Sequence, residues 1–162
     1  MNKTYKGSYK PINPEKYRGN PANIIYRSSW ERKCMHFFDT NPDVIWWQSE
    51  ERAIAYRSPK TNGLHRYFPD FIVKIKNRKT GVIEIRVIEV KPKSQTKPPK
   101  KGANQQKYLS EVMTYGVNMA KWQAAKFFCE KRGWKFMVLT EDEIFGPKYK
   151  VKKTKGTNGK AT

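Results

Sequence analysis

Apolar residues recur along this chain with two periods, and each period predicts a different kind of element. A period of three to four residues, typical of a helix that packs on a core, spans residues 29–39 and 104–132. The first segment contains the pattern Ser28-x-x-Glu31, which is typical of an N-terminal capping box. In the second, a glycine and an asparagine at 116–118 leave open whether one helix or two form there. Two helical regions are therefore predicted.

Apolar runs and alternating patterns predict strands in the rest of the chain. Four lie between the helical regions, over residues 44–48, 52–56, 67–75 and 82–91. The turn signal at 77–81 predicts that the last two form a hairpin. After the long helix we expect one more strand at 134–139 and a short last helix that begins at 140–143. This order predicts an α/β fold, with a mixed central sheet of about five strands flanked by helices.

Composition divides the chain into three regions. Residues 1–25 are rich in Tyr, Lys, Asn and Pro without a sustained period, and we expect an extended N-terminal arm. Residues 26–146 carry the predicted elements and form the folded domain. Residues 147–162 are basic with little apolar content, and we expect a disordered tail.

The charge of the chain indicates a polyanionic partner. Lys and Arg outnumber Asp and Glu by 34 to 14, and the formal charge of +20 falls only to +14 when six lysines between 148 and 160 are left out. Such an excess favours a nucleic acid, but charge alone leaves DNA and RNA equally open. No apolar run approaches the roughly 20 residues of a membrane helix, and the N-terminus lacks the apolar segment of a signal peptide. A soluble protein that is not secreted through a signal peptide is expected.

Cysteine and histidine exclude the commonest zinc sites. The two cysteines, Cys34 and Cys129, lie in apolar helical patterns without CxxC spacing, and we expect buried free thiols. The two histidines, His36 and His65, are isolated in the sequence. Any metal must therefore be held by oxygen ligands.

Two carboxylates interrupt the apolar strands of the predicted hairpin. Asp70 follows a proline early in the first strand, and Glu89 lies late in the second, on the same face as Lys91. Because hairpin strands run in opposite directions, Asp70 and Glu89 are expected to be neighbours. Close carboxylates repel unless a cation lies between them, and Mg²⁺ prefers such oxygens. Lys91 can then stabilise negative charge that develops on a phosphate, so the set is sufficient for phosphodiester hydrolysis.

This pattern, P-D followed by E-V-K, resembles the PD-(D/E)XK nuclease superfamily. Either half alone is weak, since a Pro-Asp pair usually marks a turn and E-x-K usually marks a solvated strand face. Further segments resemble the head completion nucleases of myovirus-type tailed phages, and the nuclease domain of TnsA-type transposition endonucleases is similar more distantly. The likeness covers about residues 8 to 145. The segments that carry it are 17–19 (YRG), 26–31 (YRSSWE), 41–45 (NPDVI) with Trp47 and Glu50, 66–70 (RYFPD), 89–92 (EVKP), 131–133 (KRG) and 139–142 (LTED).

The resemblance implies a restriction-endonuclease-like fold for residues 26–146 and a metal-dependent deoxyribonuclease. It implies Mg²⁺, with Mn²⁺ as a substitute, held by Asp70, Glu89 and the backbone carbonyl of Val90. It further implies a protein that acts when DNA packaging ends, in the host cytoplasm during assembly or in the virion head or neck. Its expected partners are DNA and phage portal or head-neck proteins.

Glu31 has two possible roles. In these nucleases a helix glutamate before the sheet often completes the metal site, so Glu31 is a candidate catalytic residue and ligand. Its position in the capping-box pattern also gives it a structural role, worth on the order of 1 kcal/mol.

Other side chains are candidates for contacts around the site. The predicted DNA contacts are Arg27, Arg66, Lys93 and Lys107, although any one of these is more often a solvated surface charge. Gln105 and Gln106 are further candidates to reach the site. The tryptophans at 46, 47, 122 and 134 are expected to pack in the core or at its rim.

Two other functions remain open. One is a catalytically silent DNA-binding protein of the phage head or neck, which the intact set Asp70, Glu89 and Lys91 disfavours. The other is an RNA-binding protein, which is disfavoured because the chain has neither an RRM-like aromatic motif nor a KH-type GXXG loop.

Overall fold

A four-stranded mixed sheet forms the centre of the protein, as seen in a computed structural model that describes residues 5–146. The strands are β1 (Gly7–Ser8), β2 (Ile25–Tyr26), β3 (Val44–Ser49), β4 (Ile54–Arg57), β5 (Leu64–Tyr67), β6 (Phe71–Lys76), β7 (Ile83–Val90) and β8 (Lys135–Leu139). The helices are α1 (Ser29–Thr40), α2 (Gln105–Glu130) and α3 (Glu141–Phe145), with 3₁₀ turns at Pro14–Lys16 and Lys93–Thr96. The predicted tail at 147–162 lies outside the described residues.

The central sheet has the order β3-β6-β7-β8. β3, β6 and β7 pair antiparallel, and β8 runs parallel to β7 after the crossover through α2. β1 pairs with β2, and β4 with β5, as separate two-stranded ribbons. The predicted α/β fold with a mixed sheet and flanking helices is confirmed; the central sheet has four strands, and the expected fifth belongs to the β4–β5 ribbon.

Side chains alternate across the sheet, and each face has its own core. Phe71, Val73 and Ile88 pack with α1 and the tryptophan Trp47 on one face. Ile72 and Val87 pack with Trp122 and other residues of α2 on the opposite face. The predicted tryptophan packing is confirmed, since Trp46 and Trp134 are partly buried against the second core. The helices thus hold β6 and β7 rigidly from both sides.

Two predicted elements differ from the structure. The strand expected over 67–75 is interrupted at Phe68-Pro69-Asp70, and its first residue, Tyr67, pairs with Ile54 in the separate ribbon. Proline lacks the N–H that a central strand needs, which explains the break. α2 is one continuous helix through Gly116, because its last turns are anchored by the buried side chains of Trp122, Ala125 and Cys129.

The N-terminal arm is extended between its short elements, but it contributes to the core. Tyr9, Tyr17 and Ile24 are buried in the cluster on the α1 side. Asp39, fully buried at the end of α1, accepts hydrogen bonds from the Tyr9 hydroxyl at 2.7 Å and the Ile12 N–H at 2.7 Å. The Asn13 N–H donates to the same carboxylate at 2.9 Å. The arm is therefore fastened to the domain by a buried carboxylate.

Two smaller expectations concern cysteines and membranes. Cys34 and Cys129 are buried and unpaired with each other, as predicted. Within residues 5–146, no helix combines the length and the apolar character needed to cross a membrane.

Candidate active site

Asp70 and Glu89 come together at one end of the central sheet. Phe71 pairs with Ile88 at the end of the β6–β7 ladder, and the next step of that register places Asp70 opposite Glu89. The break at Pro69 frees the Asp70 side chain from strand pairing, and its Oδ2 accepts the Val90 N–H at 2.7 Å. The two predicted carboxylates are therefore neighbours, as the alternation and the hairpin predicted.

Burial and repulsion keep both carboxylates in an unfavourable environment as anions. Burial raises the pKa of Asp70 well above its usual range; Glu89 raises it further, and the Val90 N–H lowers it. Burial also raises the pKa of Glu89, against the opposing effects of the Tyr67 hydroxyl, Lys91 and Lys121. Glu89 is buried and Asp70 is half-buried, and two such acids that repel each other form a site suited to a proton or a cation.

Lys91 lies next to this pair. Its ammonium is 3.8 Å from Glu89 Oε1, and its backbone N–H donates to the Leu139 carbonyl at 3.0 Å, which ties the end of β7 to β8. The lysine side chain is 28% exposed, so it can face both the carboxylates and a substrate. The structure thus brings three of the predicted residues into one group.

Glu31 lies near the pair but forms half a capping box. Ser28 Oγ accepts the Glu31 N–H at 3.1 Å, while the Glu31 carboxylate accepts the N–H of Arg27 at 3.0 Å rather than that of Ser28. Burial raises the pKa of Glu31, the Arg27 N–H lowers it, and Glu50 raises it. In the described part of the chain, no three side chains of His, Cys, Asp or Glu are arranged to hold a metal together. For Glu31 to bind the same metal ion as Asp70 and Glu89, its side chain would have to move.

Arg27 is engaged by an acidic residue that the sequence did not single out for the site. Its guanidinium binds the Glu50 carboxylate at two points, with Nε 3.0 Å from Oε1 and a terminal nitrogen 3.2 Å from Oε2. Glu50 has a positive φ of 51°, and its N–H donates to the Asp70 carbonyl at 3.3 Å. Glu50 is one of the residues that carry the family resemblance, but its contact with Arg27 follows only from the fold.

The other predicted DNA contacts have partners other than the two carboxylates. Arg66 is exposed, with its guanidinium 5.9 Å from the centre of the Phe68 ring. Lys93 pairs with Asp142 at 2.9 Å. Lys107, in the first turn of α2 beside Gln105 and Gln106, lies 4.0 Å from Glu111 on the same helix. The structure shows no contact that joins these residues to Asp70 or Glu89.

Tyr67 and Lys121 were also missed by the sequence analysis. The buried Tyr67 hydroxyl donates a hydrogen bond to Glu89 Oε2. Lys121 lies in the middle of α2, and its ammonium is 5.7 Å from the ring centres of both Tyr56 and Tyr67. Lys121 directly precedes Trp122, one of the apolar positions of the helical pattern, and the side chain of Trp122 is buried. This neighbour is the sequence signal that could have pointed to Lys121.

The chain is similar to known proteins along most of its length. Residues 41–141 match the family described as TnsA-like endonuclease N terminal. Over 145 residues the chain is 41% identical to the head completion nuclease of Enterobacteria phage T4, and the alignment covers 86% of this chain and 93% of that protein. No solved structure gives a match.

Proposed function

Since the chain belongs to the family of the phage head completion nuclease and contains a TnsA-like endonuclease domain, we propose that it is a Mg²⁺-dependent deoxyribonuclease. The observation that carries this proposal is the group formed by Asp70, Glu89 and Lys91 at one end of β6 and β7. We place the hydrolysis of DNA phosphodiester bonds at this group.

The side chains at the site fit a hard divalent cation. Asp70 and Glu89 supply carboxylate oxygens, and a positive charge between them would offset the burial and repulsion that raise their pKa values. The Val90 N–H donates a hydrogen bond to Asp70. The backbone carbonyl of Val90 is the proposed third ligand. Mg²⁺ keeps several waters and does not require an all-protein cage, so two carboxylates suffice. A bound Mg²⁺ supplies Lewis acidity toward the scissile phosphate and the attacking water.

Lys91 supplies a positive charge that stabilises the scissile phosphate during hydrolysis. Hydrolysis places additional negative charge on the phosphate oxygens as water attacks phosphorus and the bond to the leaving oxygen breaks. A lysine ammonium beside the site donates hydrogen bonds to such an oxygen and lowers the energy of that state. Glu89, 3.8 Å away, orients the ammonium before the substrate arrives.

The basic surface supports DNA as the substrate. The formal charge of +20 favours a polyanion. The family match, to an endonuclease domain, supports DNA rather than RNA in this proposal. From the name of the T4 relative we propose that this chain acts in phage head completion, with DNA and portal or head-neck proteins as its partners.

A cleavage assay with metal removal tests the proposal. Purified protein is incubated with plasmid, linear and branched DNA, with Mg²⁺, with Mn²⁺ and with EDTA. We expect cleavage with either cation, none with EDTA, and recovery when excess Mg²⁺ is added. Cleavage that persists in EDTA would exclude the metal. DNA binding without cleavage of any substrate would favour the catalytically silent DNA-binding protein.

Glu31→Gln separates the two roles of Glu31. The amide oxygen can still accept the Arg27 N–H, but the charge that attracts a cation is lost. We expect a melting temperature near wild type and a loss of cleavage at limiting Mg²⁺ of about tenfold or more, which corresponds to about 1.4 kcal/mol.

The matched control is Glu143→Gln. Glu143 completes the capping box of α3, where its carboxylate accepts the Thr140 N–H at 2.7 Å. This control should leave the Mg²⁺ dependence unchanged. Wild-type activity of Glu31→Gln across the whole Mg²⁺ titration would remove Glu31 from the site.

A further inference from the structure

Glu89 has a different partner on each carboxylate oxygen. Oε2 accepts the Tyr67 hydroxyl, whereas Oε1 faces the Lys91 ammonium at 3.8 Å. A phenolic hydroxyl that donates to Oε2 takes one lone pair of that oxygen and restricts the rotation of the carboxylate. The backbone of Asp70 also hydrogen-bonds this carboxylate. Tyr67 therefore turns Oε1, on the side of Lys91, toward the position that a cation would take.

Tyr67 is held rigidly enough to impose this orientation. It is the last residue of β5, it pairs with Ile54 of β4, and its side chain is buried with Ile72 and Val87 in the core on the α2 side. Tyr67 therefore reaches Glu89 from the β4–β5 ribbon, which is separate from the sheet that carries Glu89.

Lys121 fastens this ribbon to α2. Its ammonium lies 5.7 Å from the ring centres of Tyr56 on β4 and of Tyr67 on β5, a distance at which a cation is attracted to an aromatic ring. The adjacent Trp122 is buried in the same core and sets the position of this helical turn. Glu89, Tyr67 and Lys121 thus connect three separate parts of the fold at the site.

We propose that Tyr67, held by Lys121, is a positioning residue that presents Glu89 Oε1 to the cation. This inference rests on the proposed function, because Tyr67 would orient Glu89 for the metal ion that the proposed function requires. Partners of this kind, which hydrogen-bond a ligand and not the metal, affect metal affinity or activity by about 10- to 100-fold. The same hydrogen bond in a purely structural role would affect only the stability of the fold.

The test compares two tyrosines that each donate to a glutamate. Tyr67→Phe removes the hydroxyl at the site, and Tyr17→Phe removes a buried tyrosine hydroxyl that donates to Glu51 Oε1 at 2.8 Å. For both variants we measure the melting temperature, Mn²⁺ binding in the absence of DNA by electron paramagnetic resonance, and the Mg²⁺ concentration for half-maximal cleavage.

For Tyr67→Phe we expect Mn²⁺ affinity to fall and the half-maximal Mg²⁺ concentration to rise, each by about tenfold or more. For Tyr17→Phe we expect a lower melting temperature with wild-type metal dependence. Equal metal dependence in wild type and Tyr67→Phe would overturn the positioning role.

Lys121 provides an independent variant that leaves the Glu89 hydrogen bond chemically intact. Lys121→Met removes the charge from the two rings, and the Mg²⁺ concentration for half-maximal cleavage should rise, because Tyr67 is less firmly held. Lys121→Arg keeps a cation over the rings and should bring that concentration back toward wild type. Equal Mg²⁺ dependence of the Met and Arg variants would contradict the role of Lys121.

Failure of this inference is distinguishable from failure of the proposed function. If Glu89→Gln abolishes metal binding and cleavage while Tyr67→Phe matches wild type, the active site stands and the positioning role is wrong. If Glu89→Gln itself binds Mn²⁺ and cleaves like wild type, the proposed active site is wrong, and the role of Tyr67 falls with it.

Discussion

Asp70→Asn and Glu89→Gln are expected to abolish DNA cleavage and to raise the melting temperature. Both changes keep the shape of the side chain and remove a charge that burial and mutual repulsion disfavour. A carboxyl group whose pKa is raised on folding destabilises the folded state at neutral pH, because the folded state must either hold the unfavourable anion or take up a proton. We expect cleavage to fall by about 1,000-fold or more, which corresponds to about 4 kcal/mol of transition-state stabilisation.

Glu84→Gln is the control on the same strand. The Glu84 carboxylate lies 2.9 Å from Arg86 and 2.8 Å from Lys135, and hydrogen bonds from Lys135 and Arg86 lower its pKa to about 2. Because the folded state favours this carboxylate as an anion, its neutralisation should lower the melting temperature and leave cleavage unchanged. Single-turnover cleavage and thermal unfolding of the three variants measure both effects. Wild-type cleavage by Asp70→Asn and Glu89→Gln would exclude the site.

The part of the site that the sequence predicted depends on local geometry. Alternation along β7 places Glu89 and Lys91 on one face, and the hairpin turn sets the register that brings Asp70 opposite Glu89. Alternation relates residues two positions apart, and the hairpin register relates two strands that a single turn joins. The same reasoning placed the helices and most strands correctly.

The part that the sequence missed depends on contacts between separate elements. Tyr67 reaches Glu89 only because Pro69 ends the strand pairing and directs β5 into another ribbon. Lys121 arrives from a long helix whose position is set by Trp122 in the core. Glu50 binds Arg27 across 23 residues of sequence. Periodicity within a segment carries no information on how separate segments pack.

Asp39→Ala is expected to destabilise the fold by about 3–5 kcal/mol, as when one partner of a buried charged network is removed. An aspartate near the C-terminus of a helix is unfavourable by itself, since the helix dipole is negative there. Asp39 is nevertheless fully buried, and its two carboxylate oxygens accept three hydrogen bonds from the N-terminal arm. Alanine would leave the Tyr9 hydroxyl and two backbone N–H groups without this acceptor in the core.

Asp43→Ala is the matched control for that change, because it makes the same substitution four residues later. Asp43 forms an ion pair with Arg78, whose side chain is 77% exposed, and exposed pairs contribute about 0–1 kcal/mol. Urea unfolding gives the midpoint and the slope for both variants, and a lower midpoint with an unchanged slope reports a loss of stability alone. Asp39→Asn keeps one acceptor oxygen, so its free energy of unfolding should lie between the values for wild type and Asp39→Ala. If Asp39→Ala loses no more stability than Asp43→Ala, the arm is not held by this carboxylate, and the buried positions of Tyr9, Tyr17 and Ile24 must be maintained by apolar packing alone.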